Sequence, residues 1–107
     1  MIKTNREVYG EALQDIGKDK RVVVLDADVS SSTKTSLFAR KYSDRFFNVG
    51  IAEANMCATA CGMATEGKIP FVNTFAVFAT SLGLLPMRSM AAYMGLPVRL
   101  IGSYGGM

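Results

Sequence analysis

The run RVVVLDA at residues 21–27 sets the tightest limit on what this chain can fold into. It is β-branched and apolar with no polar alternation. A strand of that kind must be buried on both faces, as in a parallel sheet covered by helices. The flanking patterns agree. Residues 5–16 place Val8, Ala12, Leu13 and Ile16 at helical spacing, with Thr4 or Asn5 to cap the start and Gly17 to end it. DVSSSTKT at 28–35 reads as a polar loop, 36–42 as a short amphipathic helix and 45–50 as a short strand. Residues 51–66 read as a helix rich in alanine and methionine, closed by Gly67, and 68–75 as a strand. The stretch 76–95 reads as a helix that Gly83 and Pro86 interrupt, because proline removes a backbone donor. A further strand is expected at 96–102. Strands alternating with helices predict an α/β fold, a parallel sheet flanked by helices with right-handed crossovers.

Composition narrows the function classes. The chain has 107 residues, half of them hydrophobic, which suits one small domain with its own core and argues against disorder. Twelve basic and nine acidic residues give a net charge of +3. The one tight basic cluster, KDKR at 18–21, reads as a solvated helix-to-strand connection, so no nucleic-acid partner is expected. No apolar run is long enough to span a membrane, and the N-terminus lacks an apolar signal-peptide segment. A cytoplasmic location is therefore expected. There is no histidine, which removes the commonest general base and zinc ligand. Cys57 and Cys61 cannot complete a metal site by themselves and are poorly placed to pair with each other. They read as small buried hydrophobes, and no metal ligand is assigned in this chain. The stop on SYGGM, just past a strand, reads as an α/β domain over residues 1–107 that is incomplete at its C-terminal end.

Several residues carry candidate chemistry. Glu53 is the lone carboxylate between Asp44 and Glu66, at the head of a small and apolar stretch. It can simply favour the positive end of a helix dipole. Alternatively, buried among Ile51, Met56 and the alanines, it can hold or share one proton. Phe75 and Phe78 share a helix face, either as core aromatics or as a pair flanking a flat heterocycle. Asp26 and Asp28 follow a buried strand, at the edge where open α/β sheets bind ligands. Ser30, Ser31, Ser32 and Thr33 offer hydroxyls to a phosphate or to solvent. The glycines match neither common nucleotide-binding fingerprint.

Four blocks carry a family resemblance: LDADVSSSTKT, FFNVGIAEANMCATACGMATEGKIPFVNTFAVF, MRSMAAY and LPVRLIGSYGG. In content, order and spacing they resemble the pyrimidine-binding domain of thiamine-diphosphate enzymes, in particular the C-terminal subunit of split, two-subunit transketolases. The resemblance runs over nearly the whole chain. It implies a partial thiamine-diphosphate-binding (pyrimidine) fold. It implies that Glu53 hydrogen-bonds N1′ of the cofactor's aminopyrimidine and so helps the 4′ nitrogen take the proton from C2 of the thiazolium. It implies Phe75 and Phe78 against the aminopyrimidine and Asp28 beside the cofactor near a subunit interface. Arg6 and Ser32 are implied as ligands of a sugar phosphate. The implied activity is transfer of a two-carbon ketol unit between sugar phosphates, in the pentose phosphate pathway. Mg²⁺ ligands are expected on a diphosphate-binding (N-terminal) partner subunit, in a homo- or hetero-oligomer, and the chain alone is expected to be inactive. The β subunit of a 2-oxo-acid dehydrogenase's decarboxylating component and deoxyxylulose-phosphate synthase share much of the GIAE block and are the alternatives among enzymes. A truncated, non-catalytic interaction module is the alternative of another class. The sequence departs from the transketolase pattern at Tyr104, where a histidine often stands, and at Pro86, inside a helix usually continuous.

Overall fold

The computed structural model describes residues 3–92 and 94–105. Tyr93 and the last two residues of the SYGGM end lie outside the described residues. The chain runs α1 (Asn5–Ile16), β1 (Val22–Asp26), α2 (Ser30–Thr33), α3 (Ser36–Lys41), a 3-10 turn (Ser43–Arg45), β2 (Phe46–Asn48), α4 (Glu53–Thr65), β3 (Ile69–Phe75), α5 (Ala76–Ser81), α6 (Leu84–Pro86), a wide π-helical stretch (Met87–Ala92) and β4 (Arg99–Ser103). The four strands form one parallel sheet in the order β2-β1-β3-β4. The strand order reverses between β1 and β3, and the carboxyl ends of strands at such a switch point are where open α/β sheets bind ligands.

Strand β1 is buried along its whole length. Its side chains alternate between two cores, as a two-residue period requires. Val22 and Val24 pack with Leu13 and Phe38, whereas Val23 and Leu25 pack with Met56, Cys57, Ala60 and Val72. Both faces are apolar because helices cover both, and this is why the run lacks polar alternation.

Helix α1 begins as expected. Thr4 forms a capping box with Glu7, each side chain taking the other's backbone N–H. Its inner face differs from the one the apolar spacing predicts. Val8 and Ile16 are exposed, whereas Gly10 and Leu13 are buried and Tyr9 packs on the same core. Glycine decides this face. A Cβ on Gly10 would lie 2.8 Å from the Lys34 backbone oxygen, and one on Gly17 2.5 Å from the Tyr42 ring. The helix therefore turns its glycine edge inward and packs against α3.

The loop expected at 28–35 contains the short helical turn α2. The interrupted helix is present as expected: Gly83 and Pro86 divide 76–92 into α5, α6 and the π-helical stretch. Gly83 is needed for space, since a Cβ there would meet Cys57 Sγ and the Ala79 carbonyl oxygen, each at 2.9 Å. Gly102 serves likewise, letting β4 pass the Ala76 backbone. Among the described residues no helix is long and apolar enough to cross a membrane.

Candidate functional site

The candidate residues gather at the carboxyl edge of the sheet. Asp28 follows β1, Glu53 follows β2, Phe75 ends β3 and Tyr104 follows β4. Helices α1 and α4 each lead into or out of a strand, which brings Arg6 and Glu53, in their first turns, to the same edge.

The two aspartates after β1 have different tasks. Asp26 is fully buried and accepts from the Val29 N–H at 2.6 Å, the Thr33 hydroxyl at 2.7 Å and the Thr35 hydroxyl at 2.9 Å. Those bonds wind residues 30–33 into α2, which is why the polar stretch is not an open loop. Asp26 is thereby occupied with structure. Asp28 is exposed in a left-handed conformation, φ 62°. Its N–H donates to Asn48 Oδ1 at 2.9 Å, and its carboxylate accepts from Asn48 Nδ2 at 3.1 Å. Asn48 also accepts the Gly50 N–H at 3.0 Å and so starts the turn into α4.

Glu53 is the first residue of α4 and only 6 % exposed. Among the described residues its carboxylate makes no side-chain hydrogen bond, and its oxygens are not among the fully buried polar atoms that lack a partner, so they keep contact with solvent. Its fixed support is the positive end of a 13-residue helix. The apolar wall expected around it includes the fully buried Met56 but not Ile51, which is 82 % exposed because it precedes the helix in the Gly50 turn. One helical turn on, the Cys57 thiol is pushed up to about 11, first by burial and then by the charges of Cys61 and Glu53. Burial also raises Cys61. At the same edge of β3, the buried Thr74 hydroxyl has no hydrogen-bond partner among the described residues.

An aromatic array runs across the ends of β3 and β4. The Phe75 and Phe78 rings are 6.1 Å apart and tilted by 36°. Phe75 meets Tyr104 edge-on at 5.2 Å. The Arg6 guanidinium lies 4.7 Å from the Tyr104 ring centre. Arg6 also donates through Nη1 to the Ser32 carbonyl oxygen at 2.7 Å. Arg6 and Ser32 therefore meet, through the serine's backbone rather than its hydroxyl. Arg6, Tyr9, Ser103 and Tyr104 border a cleft of about 630 Å³.

One part of this edge was not apparent from the residues. The Tyr9 hydroxyl donates to Asn73 Oδ1, and Asn73 Nδ2 donates to the carbonyls of Leu25 at 2.9 Å and Phe71 at 2.8 Å. Burial raises Tyr9 far above the usual phenol range. The sequence clue was one asparagine inside the apolar strand IPFVNTF.

Residues 3–107 match the family model described as the transketolase pyrimidine-binding domain. A provisionally named transketolase C-terminal section from Methanocaldococcus jannaschii is 44 % identical over 105 residues, 97 % of this chain and 33 % of the relative. The 6-deoxy-6-sulfo-D-fructose transketolase subunit of Clostridium sp. (strain MSTE9) is 38 % identical over 102 residues, 94 % of this chain and 32 % of the relative. A solved split-gene transketolase, an inactive beta4 tetramer, superposes with a TM-score of 0.82 at 49 % identity, covering 91 % of this chain and 32 % of that one. The chain spans about a third of the length of these proteins.

Proposed function

This chain belongs to the transketolase pyrimidine-binding-domain family, and from that premise we propose that it forms the pyrimidine half of a thiamine-diphosphate site in a transketolase. The assembled enzyme moves a two-carbon ketol unit from a ketose phosphate to an aldose phosphate, in the cytoplasm, within the pentose phosphate pathway. The observation that carries this reading is Glu53, a residue only 6 % exposed at a helix N-terminus whose carboxylate makes no side-chain hydrogen bond among the described residues. A carboxyl group that the chain's own residues leave without a hydrogen-bond partner is free to hold a proton for a ligand. The N1′ nitrogen of an aminopyrimidine carries a lone pair and no hydrogen, so it can accept that proton, and the tilted rings of Phe75 and Phe78 suit a flat heterocycle. The residues present therefore fit the cofactor's pyrimidine end.

Thiamine diphosphate, when bound, supplies the carbon nucleophile and the electron sink for cleaving and forming the carbon–carbon bond. Glu53 holds a proton at the pyrimidine N1′ and is the catalytic residue of this chain. Phe75 and Phe78 bind the ring through their faces and exclude water. Asp28, oriented by Asn48, lies beside the cofactor at the subunit boundary. Arg6 presents its planar fork to the phosphate of the sugar, with the Ser32 hydroxyl as a second donor. Mg²⁺ and the diphosphate fall to a diphosphate-binding partner subunit, in a homo- or hetero-oligomer.

The test is ketol transfer by the chain assembled with a diphosphate-binding subunit, with pyruvate offered separately. Ketose-phosphate turnover by the pair, none by either chain alone, and loss in Glu53→Gln is the expected result. Turnover of pyruvate in place of ketose phosphate would assign the site to a decarboxylating relative. Full activity of Glu53→Gln would remove the proposed role of that carboxylate.

A further inference from the structure

We propose that Tyr104 is a positioning residue: its ring face holds the Arg6 guanidinium in the plane that presents its N–H edge to a terminal phosphate. The proposal rests on the anion-binding role given to Arg6 above and assigns what sets that side chain's direction.

Arginine carries five N–H donors in a rigid plane, on a long and flexible stem. Two contacts fix that plane here. The Ser32 carbonyl takes one Nη1 hydrogen at 2.7 Å, which fixes one corner. The guanidinium carbon lies over the Tyr104 ring, 4.7 Å from its centre, and this cation–π contact holds the other side of the group. With one corner tied and the face covered, the cleft of about 630 Å³ beside Arg6 and Tyr104 is open to the group's edge. Among the described residues Arg6 makes no ion pair with a carboxylate. A phosphate can therefore meet an undivided charge.

Tyr104 is itself held. Its backbone is left-handed at φ 61°, where a bulky residue is strained. The edge contact with Phe75 at 5.2 Å and 79° supports the ring from behind. Phe75 in turn touches Phe78. One aromatic chain thus runs from the pair assigned to the pyrimidine to the arginine assigned to the phosphate. Tyr104 is 59 % exposed, so burial of its side chain does not explain a strained aromatic at this point. The stack on Arg6 does.

The useful substitution is Tyr104→Asn. Asparagine tolerates the left-handed backbone and removes the ring, so the fold survives the change. Tyr104→Phe keeps the ring and loses only the hydroxyl. The full chain, labelled at arginine with ¹⁵N, is titrated with inorganic phosphate while the Arg6 Nε–H resonance is followed. In the assembled enzyme, KM and kcat are measured for an aldose phosphate and for the same aldose without its phosphate. We expect Tyr104→Asn to shift the Arg6 resonance in the absence of phosphate and to weaken phosphate binding about tenfold. It should raise KM for the phosphorylated sugar alone, with kcat retained. Tyr104→Phe should match the wild type within about twofold. An unchanged Arg6 resonance in Tyr104→Asn overturns the stack. A shifted resonance with unchanged phosphate binding overturns the positioning role, and so does a Phe variant as weak as the Asn variant. Phosphate binding that depends on the ring, in an enzyme that transfers no ketol unit, would leave this inference standing and remove only the activity proposed above.

Discussion

Asp26 and Glu53 are both buried carboxylates near the carboxyl edge of one sheet, and their surroundings are opposite. Asp26 accepts three hydrogen bonds from its own loop. Glu53 accepts none from any described residue. Burying a charge is costly, and hydrogen bonds offset the cost. Where the chain supplies the donors, the carboxylate organises the fold. Where it does not, the carboxyl group is left without an internal partner, which is what the proposed sharing of a proton with N1′ uses.

The sharpest way to break this contrast is to neutralise each carboxylate in turn. Glu53→Gln in the assembled enzyme should lower kcat by about 10²- to 10⁴-fold, the usual worth of one proton-handling group. The melting temperature of the chain should hold or rise, since no internal bond is lost. A large drop in melting temperature would mean that Glu53 serves the fold after all. Asp26→Ala should behave in the reverse sense. It removes the acceptor of the Val29 N–H and leaves the Thr33 and Thr35 hydroxyls only each other and the Val29 carbonyl, and should cost roughly 2–4 kcal/mol in denaturant unfolding. A loss below about 1 kcal/mol would put it among ordinary surface changes.

Gly83→Ala probes the packing of α5 and α6 on the Glu53 helix. The added methyl would meet Cys57 Sγ and the Ala79 carbonyl at 2.9 Å, so overpacking should cost about 1–3 kcal/mol. Equilibrium unfolding of the substituted chain measures it, and an unchanged midpoint would show that this contact yields freely.

The smallest effect concerns Cys57. Its thiol is raised from 9.0 to about 11, so the folded chain keeps the proton where the unfolded chain releases it. The corresponding stability is whole below pH 9 and is lost as pH rises from 9 toward about 11. Alkylation rates of the native chain should therefore climb late, near the raised value. Glu53→Gln should move that climb slightly to lower pH, because the carboxylate is the last of the three causes. An identical profile in both would show that the Glu53 charge does not reach Cys57.

Much of the architecture was legible because it depends on local pattern. The uniform run at 21–27 implies a strand covered on both sides, and it lies between β2 and β3 with helices on both faces. Thr4, Gly83 and Pro86 announce a cap and a broken helix through backbone chemistry alone. The inner face of α1 was not legible. Apolar spacing favours Val8 and Ile16, and only the closeness of Lys34 and Tyr42 turns Gly10 and Gly17 inward. The turn at Ser30–Thr33 was hidden for a similar reason, since Asp26 has to be enclosed before Thr33 and Thr35 can bind it.

The sequence alone determined the layer type, the parallel strands and the family, because periodicity and a long ordered motif survive without knowledge of distances. It also picked out Glu53, Phe75 and Phe78 through that motif. Tertiary structure decided which aspartate is occupied and which is exposed, that Arg6 reaches Ser32 through a carbonyl, and that Tyr104 lies over the guanidinium. Those outcomes depend on residues far apart in the chain meeting within a few ångströms, and no local pattern encodes such a meeting.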